Sequence, residues 1–385
     1  MRSSRRGAVD PFIVMDVMEA ARLAEENGRR IIHMELGQPG TSAPQAARDG
    51  VIRRMSEDAL GYTVAKGLPE LRERIAQLYK EWYDIDLDPD RVVVTPGSSG
   101  GFILAFTALF DAGERVALGA PGYPSYRQIL KALDLIPVEV QTSAENRLQP
   151  TPDDLAKVDY DGLLVASPAN PSGTMLDRPE LKALIEAAQA RGAAFLSDEI
   201  YHGIEYDQPS ISALEISDDV IVINSFSKYF SMTGWRIGWL VVPDGLVRQV
   251  ERLAQNMFIC PSHASQVAAL AAIDAGEELD ANVEVYKRNR TLMMDGLRRA
   301  GFDRFAPPDG AFYIYADISH ITRDSRVFAR EILEEAGVAV TPGLDFDPVR
   351  GAGTLRFAYA QSTEDIEEGL DRLQRFMQSR GLRAS

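Results

Sequence analysis

Short, almost unbroken apolar runs recur along the first two thirds of the chain, separated by longer segments with apolar residues at helical spacing. The runs lie at 91–95, 115–119, 136–140, 162–167, 193–198, 220–225 and 237–242 and are rich in Val, Ile, Leu and Ala. A continuous run of this length suits a strand covered on both faces, whereas a strand with one wet face alternates. Helix-like segments such as 102–110 and 178–191 lie between them. The alternation predicts an α/β domain with a mostly parallel, seven-stranded sheet and helices on both faces.

The carboxy-terminal part reads differently. A long helical pattern covers 278–299, short strands are expected at 311–316 and 354–358, and helices at 326–336 and 364–378. This predicts a smaller α+β domain. A helix over 10–27 precedes the first strand of the large sheet by a wide margin and is expected to pack on that domain. The expected division is an arm and helix over 1–40, a large domain over 41–280 and a small domain over 281–385. No internal repeat or low-complexity linker stands out.

Composition narrows the partners. In 385 residues, 45% are hydrophobic and 25% charged, the balance of an ordinary soluble protein with room for two domains. Lys plus Arg total 41 against 57 Asp plus Glu, a net charge of −16. That balance argues against nucleic acid or an anionic membrane as partner, so any anionic ligand must be held by a local cluster of donors. The single cysteine, Cys260, allows no intrachain disulfide and fits a reducing cytoplasm. His33, His202, His263 and His320 are scattered without zinc-like spacing, and no metal is expected. The basic start, Met1 to Arg6, is followed by no apolar stretch of signal-peptide length. Nor does any run approach the roughly 20 apolar residues that span a bilayer.

In an open α/β sheet, ligands bind beyond the carboxyl ends of the strands. Four predicted strand ends carry polar groups there. Thr95-Pro96-Gly97-Ser98-Ser99-Gly100-Gly101 follows the first, Pro168-Ala169-Asn170-Pro171-Ser172-Gly173 the fourth, Ser197-Asp198-Glu199-Ile200-Tyr201 the fifth, and Ser225-Phe226-Ser227-Lys228 the sixth. Each has an ordinary reading: a helix cap, a turn asparagine before proline, a structural or helix-starting acid at Glu199, a packing aromatic at Tyr123. The glycine-rich turn lacks the ending of a P-loop and the spacing of a dinucleotide fingerprint. Yet a Gly/Ser turn opening a helix offers N–H groups to one phosphate. Asp198, ending an apolar strand, costs several kcal/mol unless a cation or strong donors compensate it. Arg356 lies inside the apolar run Thr354-Leu355-Arg356-Phe357-Ala358 and needs an anion, for which a carboxylate suits its fork. Lys228 follows a strand, is flanked by serines, and has Arg236 eight residues on. A lysine so placed is a candidate nucleophile for a carbonyl, as a Schiff base. Lysine nucleophile, phosphate cradle (Ser225, Ser227, Arg236) and buried aspartate together describe a site for pyridoxal 5′-phosphate.

Asn170-Pro171-Ser172-Gly173, Asp198-Glu199-Ile200-Tyr201 and the stretch from Ser225 through Arg236-Ile237-Gly238 resemble the class I/II aminotransferases, the aspartate aminotransferase superfamily of fold type I, over nearly the whole chain. The resemblance implies an amino-acid transaminase, with a 2-oxo acid, 2-oxoglutarate foremost, as acceptor. It implies that Asn170 and Tyr201 bond the cofactor's 3′-oxygen, that Tyr123 stacks on its ring, and that Asp198 keeps the pyridine nitrogen protonated. Ser98, Ser99, Ser225, Ser227 and Arg236 would hold the phosphate, and Lys228 would bind the aldehyde and move the proton. Tyr62, in Gly61-Tyr62-Thr63, matches a tyrosine that reaches the phosphate of the neighbouring subunit, which implies a homodimer with shared sites. Gly37, Asn170 and Arg356 match the binding site for the substrate carboxylate. Two positions depart from the pattern: Gly40, where an aspartate is common, and Asp347 after Phe346, where a glycine is common. Both lie near the substrate side. A dicarboxylate donor would need a second cation, for which Lys66 is the nearby candidate. An apolar donor would need a lining, for which Phe12, Ile13 and Phe346 are candidates. A carbon–sulfur β-lyase on the same scaffold is the nearest alternative. A cofactor-sensing regulator would need a DNA-binding extension.

Overall fold

The computed structural model describes residues 2–381. A two-residue strand, β1 (Ile32–His33), precedes the large sheet, and the seven predicted runs become β2 (Val92–Thr95), β3 (Arg115–Ala120), β4 (Ile136–Gln141), β5 (Gly162–Ala166), β6 (Ala194–Asp198), β7 (Ile221–Ser225) and β8 (Gly238–Val241). They lie side by side in the order β2-β8-β7-β6-β5-β3-β4. β8 alone runs antiparallel to its neighbours, and the other pairings are parallel.

Burial on both faces explains the unbroken runs. Val92 and Val94 of β2, Val222 of β7 and Trp239 and Val241 of β8 enter one apolar layer. Their alternating neighbours Val93, Ile221, Ile223 and Leu240 enter the other. Helix Arg178–Ala190 covers the first layer with Leu181, Leu184, Ile185 and Ala188. Helix Gly97–Leu109 covers the second with Phe102 and Phe106. That helix starts five residues before the predicted 102. Its glycines read as turn in sequence, but Gly101 belongs inside the helix because a Cβ there would lie 3.1 Å from Leu240 Cδ2 on the sheet below.

The later elements include β9 (Tyr313–Asp317), β10 (Val338–Ala339), β11 (Thr341–Pro342) and β12 (Thr354–Ala358). β12 pairs antiparallel with both β9 and β11, and β10 pairs parallel with β1. The predicted helix over 326–336 is α-helical over Ser325–Glu331 and widens to a π-turn over Ile332–Ala336, ending at Gly337 with φ +67°. Helix Ile13–Glu26 packs Ala21 against Ile31, Leu333 and Ala339. Helix Gly276–Arg299 runs unbroken through the expected domain junction at 280. Among the described residues no helix is long and apolar enough to cross a membrane.

The strand sequence reverses direction between β3 and β5, since β4 lies on one side of β3 and β5 on the other. Chains leaving the carboxyl ends of two such strands diverge and open a crevice. Tyr123 follows β3 and Asn170 follows β5, so both stand at its mouth.

Candidate active site

A cavity of about 210 Å³ opens at these strand ends. Ten of the thirteen residues singled out in sequence line it: Lys228, Ser98, Ser99, Tyr123, Asn170, Tyr201, Ser227, Arg236, Gly37 and Arg356. Asp198, Ser225 and Tyr62 are outside the lining.

Lys228 stands in the turn after β7, and its Nζ donates to Gly37 O at 2.6 Å. Burial pushes this amine's pKa down to about 7, helped by the positive charge of Arg356 and Arg236; Asp198 opposes the shift. Near neutral pH a large fraction of Nζ therefore carries a lone pair, the form that attacks a carbonyl. A close approach at Gly37 is built in, since a Cβ there would lie 1.9 Å from Tyr313 Oη.

The anion corner lies at the start of helix Gly97–Leu109. Its N-cap position is Pro96, and no side chain caps its first N–H groups. The positive end of the helix and these open donors favour an anion. Gly97 has φ +69°, and a Cβ there would sit 2.5 Å from Arg236 Nη2, so only glycine lets the guanidinium lie against the helix start. Arg236 is held by its own bond from Nη1 to Thr233 O at 2.9 Å. Ser225 Oγ donates its one proton to Ile237 O at 3.1 Å, accepts from Ser227 N, and lies 2.9 Å from Ser227 Oγ. It orients Ser227, which does line the cavity, rather than facing an anion itself.

Asp198 is 2% exposed. Oδ1 accepts from Ile200 N at 3.1 Å, and Oδ2 accepts from the hydroxyl of Tyr126. Burial raises its pKa to about 6 despite those donors, and no cation bridges it among the described residues. Its neighbour Glu199 is fully buried, accepting from Ser197 Oγ, Ser212 Oγ and Ala213 N at 3.0, 2.9 and 2.8 Å. Glu199 is thus a structural acid, and no helix starts at it.

Arg356 projects from β12 and is 3% exposed. Its guanidinium lies between two rings, 4.5 Å from the centroid of Tyr313 and 4.7 Å from that of Phe346. Nη1 donates to Asn170 Oδ1 at 2.9 Å and Nη2 to Glu35 O, while Nε has no partner. No carboxylate of the described residues neutralises it. A buried, unneutralised guanidinium is costly unless an anion visits, which makes this the natural seat of a carboxylate. Tyr201 Oη shares a hydrogen bond of 2.8 Å with Tyr313 Oη.

The side-chain candidates divide. Phe12 lines the cavity, with Val14, Met15 and Leu36 beside it. Ile13 does not, and Phe346 lies fully buried behind Arg356. Lys66 is tied to Asp90 at 2.9 Å and is absent from the lining, so its role in this chain is structural. Asp347 is 2% exposed and pairs with Arg350, which reaches on to Ala120 O and Thr142 O at the ends of β3 and β4. Sequence reasoning missed Tyr126 and Tyr313. Tyr126 falls three residues after Tyr123, one helical turn on, and Tyr313 lies in a strand beside that of Arg356; without the tertiary fold neither spacing marks a ligand.

The sequence profile of aminotransferase class I and II matches residues 30–373. The chain is 47% identical over 378 residues to a valine–pyruvate aminotransferase of Mycobacterium tuberculosis, covering 97% of both chains. It is 35% identical over 382 residues to a (5-formylfuran-3-yl)methyl phosphate transaminase of Methanocaldococcus jannaschii, covering 98% of this chain and all of that one. Among solved structures, a putative aminotransferase from Silicibacter pomeroyi superposes with a TM-score of 0.94 at 68% identity, covering 98% of this chain and all of that one. With sequence profile, full-length relatives and fold in agreement, the chain belongs to the class I and II aminotransferases, pyridoxal-phosphate-dependent transaminases of fold type I.

Proposed function

We propose that this transaminase moves the amino group of an apolar α-amino acid to a 2-oxo monocarboxylic acid, with Lys228 as Schiff-base lysine and proton carrier. The observation that carries the reading is the cation census of the cavity: among the described residues, Lys228, Arg236 and Arg356 are its only lining cations, and each has a task in this reading. A second substrate carboxylate would find no further cation among the described lining residues, while Phe12, Val14, Met15 and Leu36 offer an apolar wall.

The residues fit the cofactor. Asp198 lacks a cation, and a protonated pyridine nitrogen would supply it. Ser98, Ser99, Ser227 and Arg236, at the uncapped helix start, would hold the phosphate, with Ser225 orienting Ser227. Asn170 gives its Oδ1 to Arg356, which leaves its Nδ2 donors for the cofactor 3′-oxygen or a carboxylate. Tyr201 would bond the same 3′-oxygen, and Tyr123 would cover the ring. Bound there, pyridoxal 5′-phosphate supplies an electron sink for the substrate α-carbon. Arg356 anchors the α-carboxylate and Gly37 lies beside it. Neutral Lys228 Nζ would take the proton from the substrate α-carbon and hold it for return, so one side chain would serve as nucleophile and general base.

Half-reactions of the holoenzyme with single amino acids test the donor. Valine and alanine should react on the order of tenfold or more better than aspartate, and pyruvate should outperform 2-oxoglutarate, the acceptor expected from the resemblance. The curated relative acting on valine and pyruvate supports this choice. Preference for aspartate and 2-oxoglutarate would overturn it. Release of ammonia and pyruvate from a sulfur amino acid without acceptor would favour the β-lyase reading instead.

The proposal includes a homodimer with shared sites. Tyr62 is 84% exposed, and Ile52, Met55, Val64 and Ile259 are exposed apolar residues near it in sequence or across the bond from His263 to Gly61 O at 3.0 Å. Tyr62→Phe should weaken cofactor binding by roughly tenfold without changing the oligomeric state, since one charge-assisted bond is lost. A monomer in sedimentation, or unaltered cofactor affinity, would refute the shared site. We also propose the division near residues 40 and 280, the second carried by the unbroken helix Gly276–Arg299 as a shared element, and a cytoplasmic location, in keeping with the single cysteine.

A further inference from the structure

Helix Ile13–Glu26 begins without a cap of its own, because its N-cap residue is Phe12. The cap comes from 332 positions away: Asp345 Oδ1 accepts from Ile13 N at 3.0 Å and Oδ2 from Val14 N at 3.1 Å. Asp345 is 2% exposed and sits in the turn Gly343–Asp345. That turn is fixed to the large sheet's side. Arg127 donates to Asp345 O at 2.8 Å and to Phe346 O at 3.2 Å, and Gly122 N donates to Phe346 O at 3.0 Å.

The capped residues are next to the chemistry. Phe12, Val14 and Met15 line the cavity, and Phe12 meets Tyr123 edge-on at 5.8 Å. Upstream, the arm is held only at the surface, where Asp10 bonds Gln128 and Lys131. The cap is therefore the buried link that sets where the apolar wall stands. A helix start that loses its acceptor frays, because its first N–H groups have no intrahelical partner.

We propose that Asp345 is a positioning residue for donor selectivity: by capping this helix it seats Phe12, Val14 and Met15 as the wall against which the donor side chain packs. This rests on the reading that the donor is an apolar amino acid held by Arg356. Asp345 also lies in the field of Arg356, but every donor carries an α-carboxylate, so that influence acts on all donors alike. Seating of the wall acts only on side chains long enough to touch it.

The test uses holoenzyme carrying Asp345→Ala or Asp345→Asn. Asp345→Ala should lower kcat/KM for valine about tenfold more than for alanine, mainly through KM. Asp345→Asn keeps one amide oxygen as acceptor and should recover most of that difference. Amide hydrogen exchange should quicken at Ile13 and Val14 in Asp345→Ala whatever the donor. Equal losses for valine and alanine, no loss for valine, an Asn variant no better than Ala, or unchanged exchange at those amides would overturn the proposal. Should wild-type enzyme reject valine and alanine for aspartate while exchange still quickens, the donor reading fails and the cap stands.

Discussion

Lys228→Ala should abolish transamination, lowering kcat/KM by on the order of 10⁴ or more, because nucleophile and general base disappear together. The variant should still bind the cofactor through the helix start, Arg236 and Asp198, but without the visible absorbance of the lysine-bound form. Turnover within about tenfold of wild type would remove Lys228 from the mechanism. The pH dependence carries a sign. With a pKa near 7, Nζ is protonated below that value and neutral above it. Capture of the cofactor aldehyde by the cofactor-free protein should therefore quicken as pH rises through about 7 and level off well below the value of an exposed lysine. A rate still climbing steeply at pH 9 to 10, where an ordinary lysine titrates, would contradict a depressed pKa.

Arg356→Lys should raise KM for every amino donor, by on the order of a hundredfold, while cofactor affinity stays near wild type. An ammonium replaces a planar fork, so one of two parallel charge-assisted bonds to the carboxylate is lost, about 2–3 kcal/mol. It also gives up the stacking between Tyr313 and Phe346 and the bond to Asn170. Steady-state kinetics with several donors decide the point. An unchanged KM, or a rise confined to some donors, would place the α-carboxylate elsewhere.

The large sheet was legible because most of its strands are buried on both faces and are written as nearly continuous apolar runs; the edge strand β4, with Ile136 46% exposed and Glu139 within it, is the exception. The two-residue strands β1, β10 and β11 carry no such signal; each forms only because a neighbouring chain passes. Lys228 and Asp198 could be found because each is chemically out of place in its local surroundings, whereas Asn170 before Pro171 was marked only by the motif it belongs to. Tyr126, Tyr313 and Asp345 could not, since their partners lie 72, 112 and 332 residues away and nothing local marks them. Ser225 illustrates a finer limit: its residue type suits a phosphate ligand, but the turn that follows directs its hydroxyl to Ile237 O and Ser227.

Asp347 departs from the glycine expected from the resemblance, and its pairing with Arg350 ties the turn after Phe346 to the ends of β3 and β4. Removing the carboxylate strands a guanidinium that reaches between two strand ends, and removing the arginine leaves a charge that is 2% exposed with only turn amides to hold it. Loss of the arginine is the costlier of the two, since Asp347 is buried whereas Arg350 is 43% exposed and keeps its carbonyl partners. The two positions are therefore coupled, and the effects of changing each on stability should not simply add.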